Sequence, residues 1–181
     1  MLDGFPDLRF EGHALVTVDG MIADARNRMP PALRNEADWA QFQTALEAAV
    51  IVVSGRIGHE THPHPTRRRL VLTRSVERLQ PGTGNATMWN PAGIGLAEAL
   101  TELGILAGTV CVAGAFGIFV PYYDTFMLSE MHRYSLPGGT PCFPGGHPRV
   151  VLAAAGLHPV TYGMLDAEAE VTTMRWERPE G

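Results

Sequence analysis

Cysteine is nearly absent: the 181 residues hold two, Cys111 and Cys142. Two thiols cannot build a disulfide framework, and Cys111 lies in an apolar segment where a reduced, packed side chain is the rule. The composition excludes a disulfide-stapled secreted domain and points to a reducing, cytoplasmic setting. Basic charge is scarce too, with 14 Lys and Arg against 19 Asp and Glu, a net charge of −5 and a pI near 5.8. Nucleic-acid binding needs a basic face or stripe, and the run Arg67-Arg68-Arg69 is too short to supply one. An export leader is not evident, because Met1 to Glu11 carries acids where a basic region and an apolar run belong. The uncharged run Gly104 to Tyr123 approaches the length of a membrane span, but its glycines and Pro121 fit a strand, a turn and a short helix better. No membrane partner is expected. There is also no Gly-x-Gly-x-x-Gly after the first strand and no Gly-x-x-x-x-Gly-Lys loop, which disfavours both the Rossmann site and the nucleotide-hydrolase loop.

What is present suits one compact domain over residues 1–181, with 45% hydrophobic and 18% charged content. Short strands alternate with helices, the pattern of an α/β sheet. The first strand is expected over His13 to Val18, ended by Asp19-Gly20 and followed by a long loop through Pro30-Pro31. Asn35 caps a helix from Glu36 to about Ala49, with Trp39, Phe42, Leu46 and Val50 at helical spacing. Val50–Ser54, Leu70–Thr73, Ala86–Trp89 and Thr109–Ala113 read as central strands, and Leu96–Leu103 as a helix. Phe126–Met131, Val150–Ala154, Val160–Met164 and Val171–Trp176 read as strands, so antiparallel pairs are added to a parallel centre.

Three predicted strand ends share one design: Ser54-Gly55-Arg56-Ile57-Gly58, Thr73-Arg74-Ser75, and Ala113-Gly114-Ala115-Phe116-Gly117. Neighbouring strand ends line the ligand crevice of an open α/β sheet, where backbone N–H groups meet phosphates. Arg56 and Arg74 offer planar forks to phosphate oxygens, although solvated arginines would give the same sequence. Asp38 shares a helix face with Phe42 and Ala45. A carboxylate there can hold an amidine-like heterocycle by paired hydrogen bonds or pass it a proton; equally, it can serve as a first-turn acid facing the helix dipole, as Glu36 can. His59, His62 and His64 lack the spacing of a helical zinc motif and Pro63 interrupts a helix, so a solvated loop and no metal are expected. Ser129 and Cys142 lack a nucleophile signature.

In this order the motifs resemble those of the dihydrofolate reductase superfamily, including the reductase domain of bacterial riboflavin biosynthesis. The matching stretches are Val18-Asp-Gly-Met-Ile-Ala23, Met29-Pro30, Asp38-Trp-Ala-Gln-Phe42, Val53-Ser-Gly-Arg56, Leu70-Val-Leu-Thr-Arg-Ser75, Val112-Ala-Gly-Ala-Phe-Gly-Ile-Phe119 and Leu136-Pro-Gly-Gly-Thr-Pro-Cys-Phe143. Gly58 stands where many members carry a phosphate-binding threonine, and Gly114-Ala115 replaces a Gly-Gly pair often joined by a cis peptide. The resemblance implies an α/β, dihydrofolate reductase-like three-layer fold, with a central mixed, mainly parallel sheet, antiparallel C-terminal strands and flanking helices. It implies a reductase in which NADPH delivers hydride to a pterin, dihydrofolate-like or related nitrogen heterocycle. The alternatives are a ribosylaminopyrimidine reductase and a non-catalytic ligand-binding protein. The implied phosphate contacts are Gly55, Arg56, Thr73, Arg74, Ser75, Gly114, Ala115, Phe116 and Gly117, with the nicotinamide beside Ala14, Asp19 and Gly20. Asp38 would anchor and activate the substrate ring, Phe42 would pack on it, and Arg67 occupies the place of a substrate-tail arginine. Tyr122, Tyr123 and the apolar C-terminal strands are candidate homodimer surface.

Overall fold

Leu8, Phe10 and Val16 sit on one alternation of the first strand, and from Gly12 to Thr17 it is buried on both faces, as a central strand must be. The computed structural model describes residues 2–179. In chain order its elements are β1 (Leu8–Thr17), β2 (Met21–Ala23), a 3₁₀ turn (Pro31–Leu33), α1 (Glu36–Ala48), β3 (Ile51–Gly55), α2 (Arg56–Thr61) and β4 (Arg69–Leu72). There follow β5 (Leu79–Pro81), β6 (Ala86–Trp89), α3 (Leu96–Glu102), β7 (Gly108–Val112), a second 3₁₀ turn (Phe116–Phe119) and β8 (Thr125–Met131). The chain ends with β9 (Thr140–Pro141), α4 (Pro148–Ala154), β10 (His158–Asp166) and β11 (Val171–Glu177).

Nine strands form one sheet in the order β10-β11-β8-β1-β7-β3-β4-β6-β5, and β2 pairs with β9 apart from it. The pairings from β8 across to β6 are parallel, whereas β10, β11 and β5 join antiparallel. The mixed, mainly parallel sheet with antiparallel C-terminal strands is therefore as expected. The larger core packs Phe10, Val53, Trp89, Val112, Phe126 and Leu152 on one face; a smaller one, with Leu46, Val52 and Cys111, lies under α1 on the other.

Several expected boundaries move. β1 begins at Leu8, five residues before the expected His13. The segment Val150–Ala154, expected as a strand, is the body of α4. Pro148 at its start has a helical φ already set, and His147 caps it by accepting from the Arg149 N–H at 3.3 Å. The histidine-bearing stretch is not wholly a loop, because α2 runs from Arg56 to Thr61 before Pro63 stops it. The stripe on α1 is narrower than its spacing suggests. Leu46 is buried while Trp39 is half exposed. Asn35 does cap α1, accepting from the Asp38 N–H at 3.0 Å. Tyr123 is fully buried and its hydroxyl donates to the Phe116 carbonyl at 3.0 Å, so it is core and offers no dimer surface.

β1 pairs with β7 through Gly12↔Val112 and with β8 from Glu11 to Thr17. Gly12 is required here. A Cβ at this position would lie 2.4 Å from the Phe126 ring and 2.8 Å from Tyr123, both of them fully buried and unable to retreat. Gly12→Ala is expected to cost about 1–3 kcal/mol of overpacking, read as a lower urea midpoint at unchanged m-value.

Candidate functional site

The strands β7, β3 and β4 are adjacent and leave the sheet at one level, with Val53 beside Val112 and Gly55 beside Leu72. The three turns singled out in the sequence therefore meet. A Cβ on Gly114 would stand 3.4 Å from the Gly55 nitrogen, at van der Waals contact, so the two turns lie side by side. Ala115, joined to Gly114 by a trans peptide, takes the left-handed conformation at φ +54°. In the third turn Thr73 Oγ1 accepts the Ser75 N–H at 3.1 Å and lies 2.8 Å from Ser75 Oγ, a compact hydroxyl pair beside exposed Arg74. Arg56 pairs only with Glu60 at 3.1 Å, both side chains being more than half exposed, and such a pair is readily exchanged for another anion. Two members of the set are placed otherwise. Phe116 is buried against Phe126 and Phe143, leaving only its backbone to the turn. Gly117 packs on Pro144, whose Cδ would lie 3.0 Å from an added Cβ.

On the other side of this edge β1 continues after β7 has ended. Phe10 N–H donates to Asp124 Oδ2 and its carbonyl accepts the Asp124 N–H, so even-numbered residues of β1 turn their amides toward β8. His13 and Leu15 turn theirs to the β7 side, where the Gly12↔Val112 pairing uses the His13 N–H and the His13 carbonyl and Leu15 amide lie beyond the end of β7. Ala14 lies between them, buried, with its amides on the β8 side. Asp19 braces the loop that follows: its carboxylate accepts from Thr17 Oγ1 and from the Leu136 N–H at 3.0 Å. Against a desolvation that acts to raise it, these bonds hold the Asp19 carboxyl below its ordinary pKa. Gly20, at φ +83°, lets the loop pass Pro148 of α4, which a Cβ would approach to 2.9 Å.

The face of the sheet beneath α1 is unusually polar. Glu11 and His13 project there from β1 and hydrogen-bond each other, and His13 stacks on Phe42 at 5.7 Å. The His13 hydrogen bond, against partial desolvation, lowers the Glu11 carboxyl. Ser129, beside Leu15 on β8, is buried, and among the described residues no group meets its hydroxyl in hydrogen-bond geometry; the same holds for Ser54 near the end of β3. Asp38 looks down from α1. Burial raises its pKa, opposed by the Ser129 hydroxyl and by the His13 charge. Trp39 lies 5.9 Å from Phe42 and 6.4 Å from His62, forming the rim.

At the far end of the same face Arg69 is register partner to Val52 and therefore shares its side of the sheet. It is only 7% exposed, yet its one side-chain partner is His59 Nδ1 at 3.3 Å, not a carboxylate. Burial and the neighbouring Arg67 charge both lower its pKa. His64 accepts the Arg67 N–H, His59 meets Arg69 and His62 meets Trp39, so these histidines are dispersed. Among the described residues no three His, Cys, Asp or Glu side chains gather to hold a metal ion. Burial pushes the Cys111 thiol up to about 12 and Cys142 higher, which leaves both unreactive. A hollow of about 530 Å³ is an open groove along Arg68, Gln80 and Glu102.

Sequence reasoning missed Glu11 and His13, and although it weighed Ser129, Ser54 and the Arg67 to Arg69 run it did not place them on this face. A signal was available for the first two, since polar residues flank Gly12 inside an otherwise buried strand. The others depend on which strands become neighbours.

No family model matches the chain, and no curated protein matches it in sequence. Solved structures do. A riboflavin biosynthesis protein from Shewanella sp. PV-4 superposes with a TM-score of 0.63 at 17% identity, over 95% of this chain and 99% of that one. The chain has the dihydrofolate reductase-like fold. A diaminohydroxyphosphoribosylaminopyrimidine deaminase/5-amino-6-(5-phosphoribosylamino)uracil reductase from Thermotoga maritima gives a TM-score of 0.67 at 14% identity. That match covers 96% of this chain but 57% of the Thermotoga protein, so the chain spans little more than half of that length. In a dihydrofolate reductase-like sheet the vacated edge between β1 and β7 is the crevice at the carboxyl ends of the strands.

The raised pKa of Asp38 has a thermodynamic consequence. Above the ordinary value of 3.8 the folded protein retains a proton that the unfolded chain releases, so Asp38 subtracts stability as pH rises through that interval and subtracts none below it. Asp38→Asn is expected to raise the urea midpoint at neutral pH, with the gain shrinking as pH falls toward 3.8. A gain independent of pH would contradict the burial argument.

Proposed function

We propose that the protein is an NADPH-dependent reductase of a nitrogen heterocycle. The observation that carries this reading is the meeting of three strand-end turns, two with arginines and one with a hydroxyl pair, beside a vacated strand edge. Arg56, Arg74, Thr73 and Ser75 would hold cofactor phosphates, and the Gly55–Gly114 contact lets the pyrophosphate lie close to the main chain. The His13 carbonyl and the Leu15 N–H would offer an acceptor and a donor to the nicotinamide carboxamide. The cofactor supplies the hydride, and the chain supplies orientation and charge. Asp38 would bind the ring's donor edge and, holding its proton more readily than an exposed carboxyl, favour a protonated and more electrophilic ring. Ser129 would give its free hydroxyl to the same ring.

A ribosylaminopyrimidine reductase, as in riboflavin formation, is the second reading. It is favoured by Arg69, a buried guanidinium without a carboxylate, which with Arg67 suits an anionic group on the substrate. The likeness to a riboflavin biosynthesis protein and to a phosphoribosylaminouracil reductase supports the same reading.

Calorimetric titration with NADPH and NADH, followed by absorbance assays with dihydrofolate, simple pterins and ribosylaminopyrimidine phosphates, tests the proposal. Tighter binding of NADPH than of NADH is expected, with Arg56→Ala and Arg74→Ala each weakening NADPH about tenfold, or ~1.4 kcal/mol. Absence of nicotinamide binding overturns the assignment. Binding without oxidation by any of these substrates favours a ligand-binding protein instead.

A further inference from the structure

Arg69 is the one buried arginine among the described residues, and what it bonds to determines the state of its neighbour. A guanidinium is always charged and can only donate, so in its hydrogen bond from Nη1 to His59 Nδ1, at 3.3 Å, the imidazole nitrogen must be the acceptor. His59 Nδ1 therefore bears no proton. The ring proton is on Nε2, which faces Thr83 Oγ1 from 3.5 Å, and the imidazole is neutral. The other groups around it bring no negative charge. Arg67 is close enough to act on Arg69 through its charge, and its own N–H is held by His64 Nδ1 at 3.1 Å. Glu60, next to His59 on α2, is turned to Arg56. Among the described residues His59, Arg67 and Arg69 form no ion pair with a carboxylate. The Arg69 head is nonetheless open. The guanidinium nitrogen sealed without a partner is Nη2 of Arg178, so the unused nitrogens of Arg69 reach solvent.

We propose that His59, Arg67 and Arg69 form a proton-linked receptor for a doubly charged tetrahedral anion, in which His59 takes up a proton as the anion binds. The inference rests on the second reading above, in which these arginines meet an anionic group of the substrate, and it specifies that group as a phosphate monoester. An anion that accepts from the Arg69 guanidinium releases His59 Nδ1 from its bond. Whether the ring then gains a proton depends on the charge beside it. A single negative charge leaves the two arginines in excess, and a proton on His59 would still be repelled. A double negative charge balances them. The proton that Nδ1 takes from solvent then becomes a further charged donor to an anion oxygen. No bond of the anion breaks, and the gain is one proton from the buffer. A substrate tail ending in one carboxylate leaves His59 neutral, so the linkage separates the two kinds of substrate.

The probes are sulfate, doubly charged and without a proton to lose near neutrality, and acetate, its singly charged counterpart. Calorimetric titration of the whole chain in two buffers of different ionisation enthalpy reads the protons exchanged. Sulfate is expected to draw a proton from the buffer and acetate none. Sulfate affinity should rise as pH falls across the imidazole range, by at most about tenfold per pH unit for one linked proton. His59→Gln is expected to abolish both the uptake and the pH dependence, and Arg69→Met to weaken sulfate about tenfold. Sulfate that settles at the turns of Arg56 and Arg74 adds heat that His59→Gln does not remove. Sulfate bound by the wild type without proton uptake overturns the proposal. So does uptake that persists in His59→Gln, uptake with acetate equal to that with sulfate, or no sulfate binding at all. If Arg69→Met fails to fold, His59→Gln and the acetate comparison decide. Neither nicotinamide nor turnover enters the measurement, so a failed sulfate response leaves the reductase reading standing, and a failed NADPH titration leaves the anion receptor standing.

Discussion

β1 must serve two neighbours whose lengths do not match. It pairs with β7 only as far as Gly12, yet continues with β8 to Thr17, and the two ladders overlap at Glu11 and Gly12. Beyond that overlap alternate residues still pair with β8, while the backbone groups between them turn toward an edge with no strand on it. A central strand with vacant amides is costly unless something polar comes to them. Gly12 makes the arrangement feasible, because only a missing side chain lets Phe126 and Tyr123 fill the core at the point of divergence. The crevice is thus a consequence of strand length and one glycine, and the loops only decorate it.

The polar groups beneath α1 follow from the same geometry. Ser129 and Ser54 are buried without partners, and Asp38 is held above its ordinary pKa by burial. Unpaired buried hydroxyls and a desolvated acid each oppose folding. Their concentration on one face, next to the Glu11–His13 pair and opposite Phe42, marks a place kept at some cost to stability. Buried Glu130, paired across β8 and α4 with the partly exposed Arg149, is of the opposite kind. Both carboxylate oxygens accept from the guanidinium, so this burial is fully compensated and holds α4 against the Asp19–Gly20 loop.

Much of this was legible in the sequence, for identifiable reasons. Asn35 before an acid-rich first turn located α1, and β-branched runs located β3 and β7, because caps and buried parallel strands are local signals. Val150-Val-Leu-Ala-Ala read as a strand because a short apolar run carries no period of its own; the deciding residues, His147 and Pro148, stand just outside it. Gly58 and Pro63 concealed α2, which is only one and a half turns long. The turns at Arg56, Arg74 and Gly114 were read from their own residues. Their meeting, like the roles of Ser129 and Arg69, depends on strand order, which no local pattern encodes. Trp39 was misplaced because helical spacing tells which residues share a face but not how far the sheet extends beneath them.

That exposed Trp39 has a use of its own. The chain has three tryptophans, and the other two, Trp89 and Trp176, are sealed in the core. Trp39 alone stands half in solvent, in contact with Phe42 and His62 at the mouth of the cleft. Its emission should lie to the red of the other two and respond to whatever enters beside it. The molecule thereby carries a native optical gauge of occupancy, readable without a label.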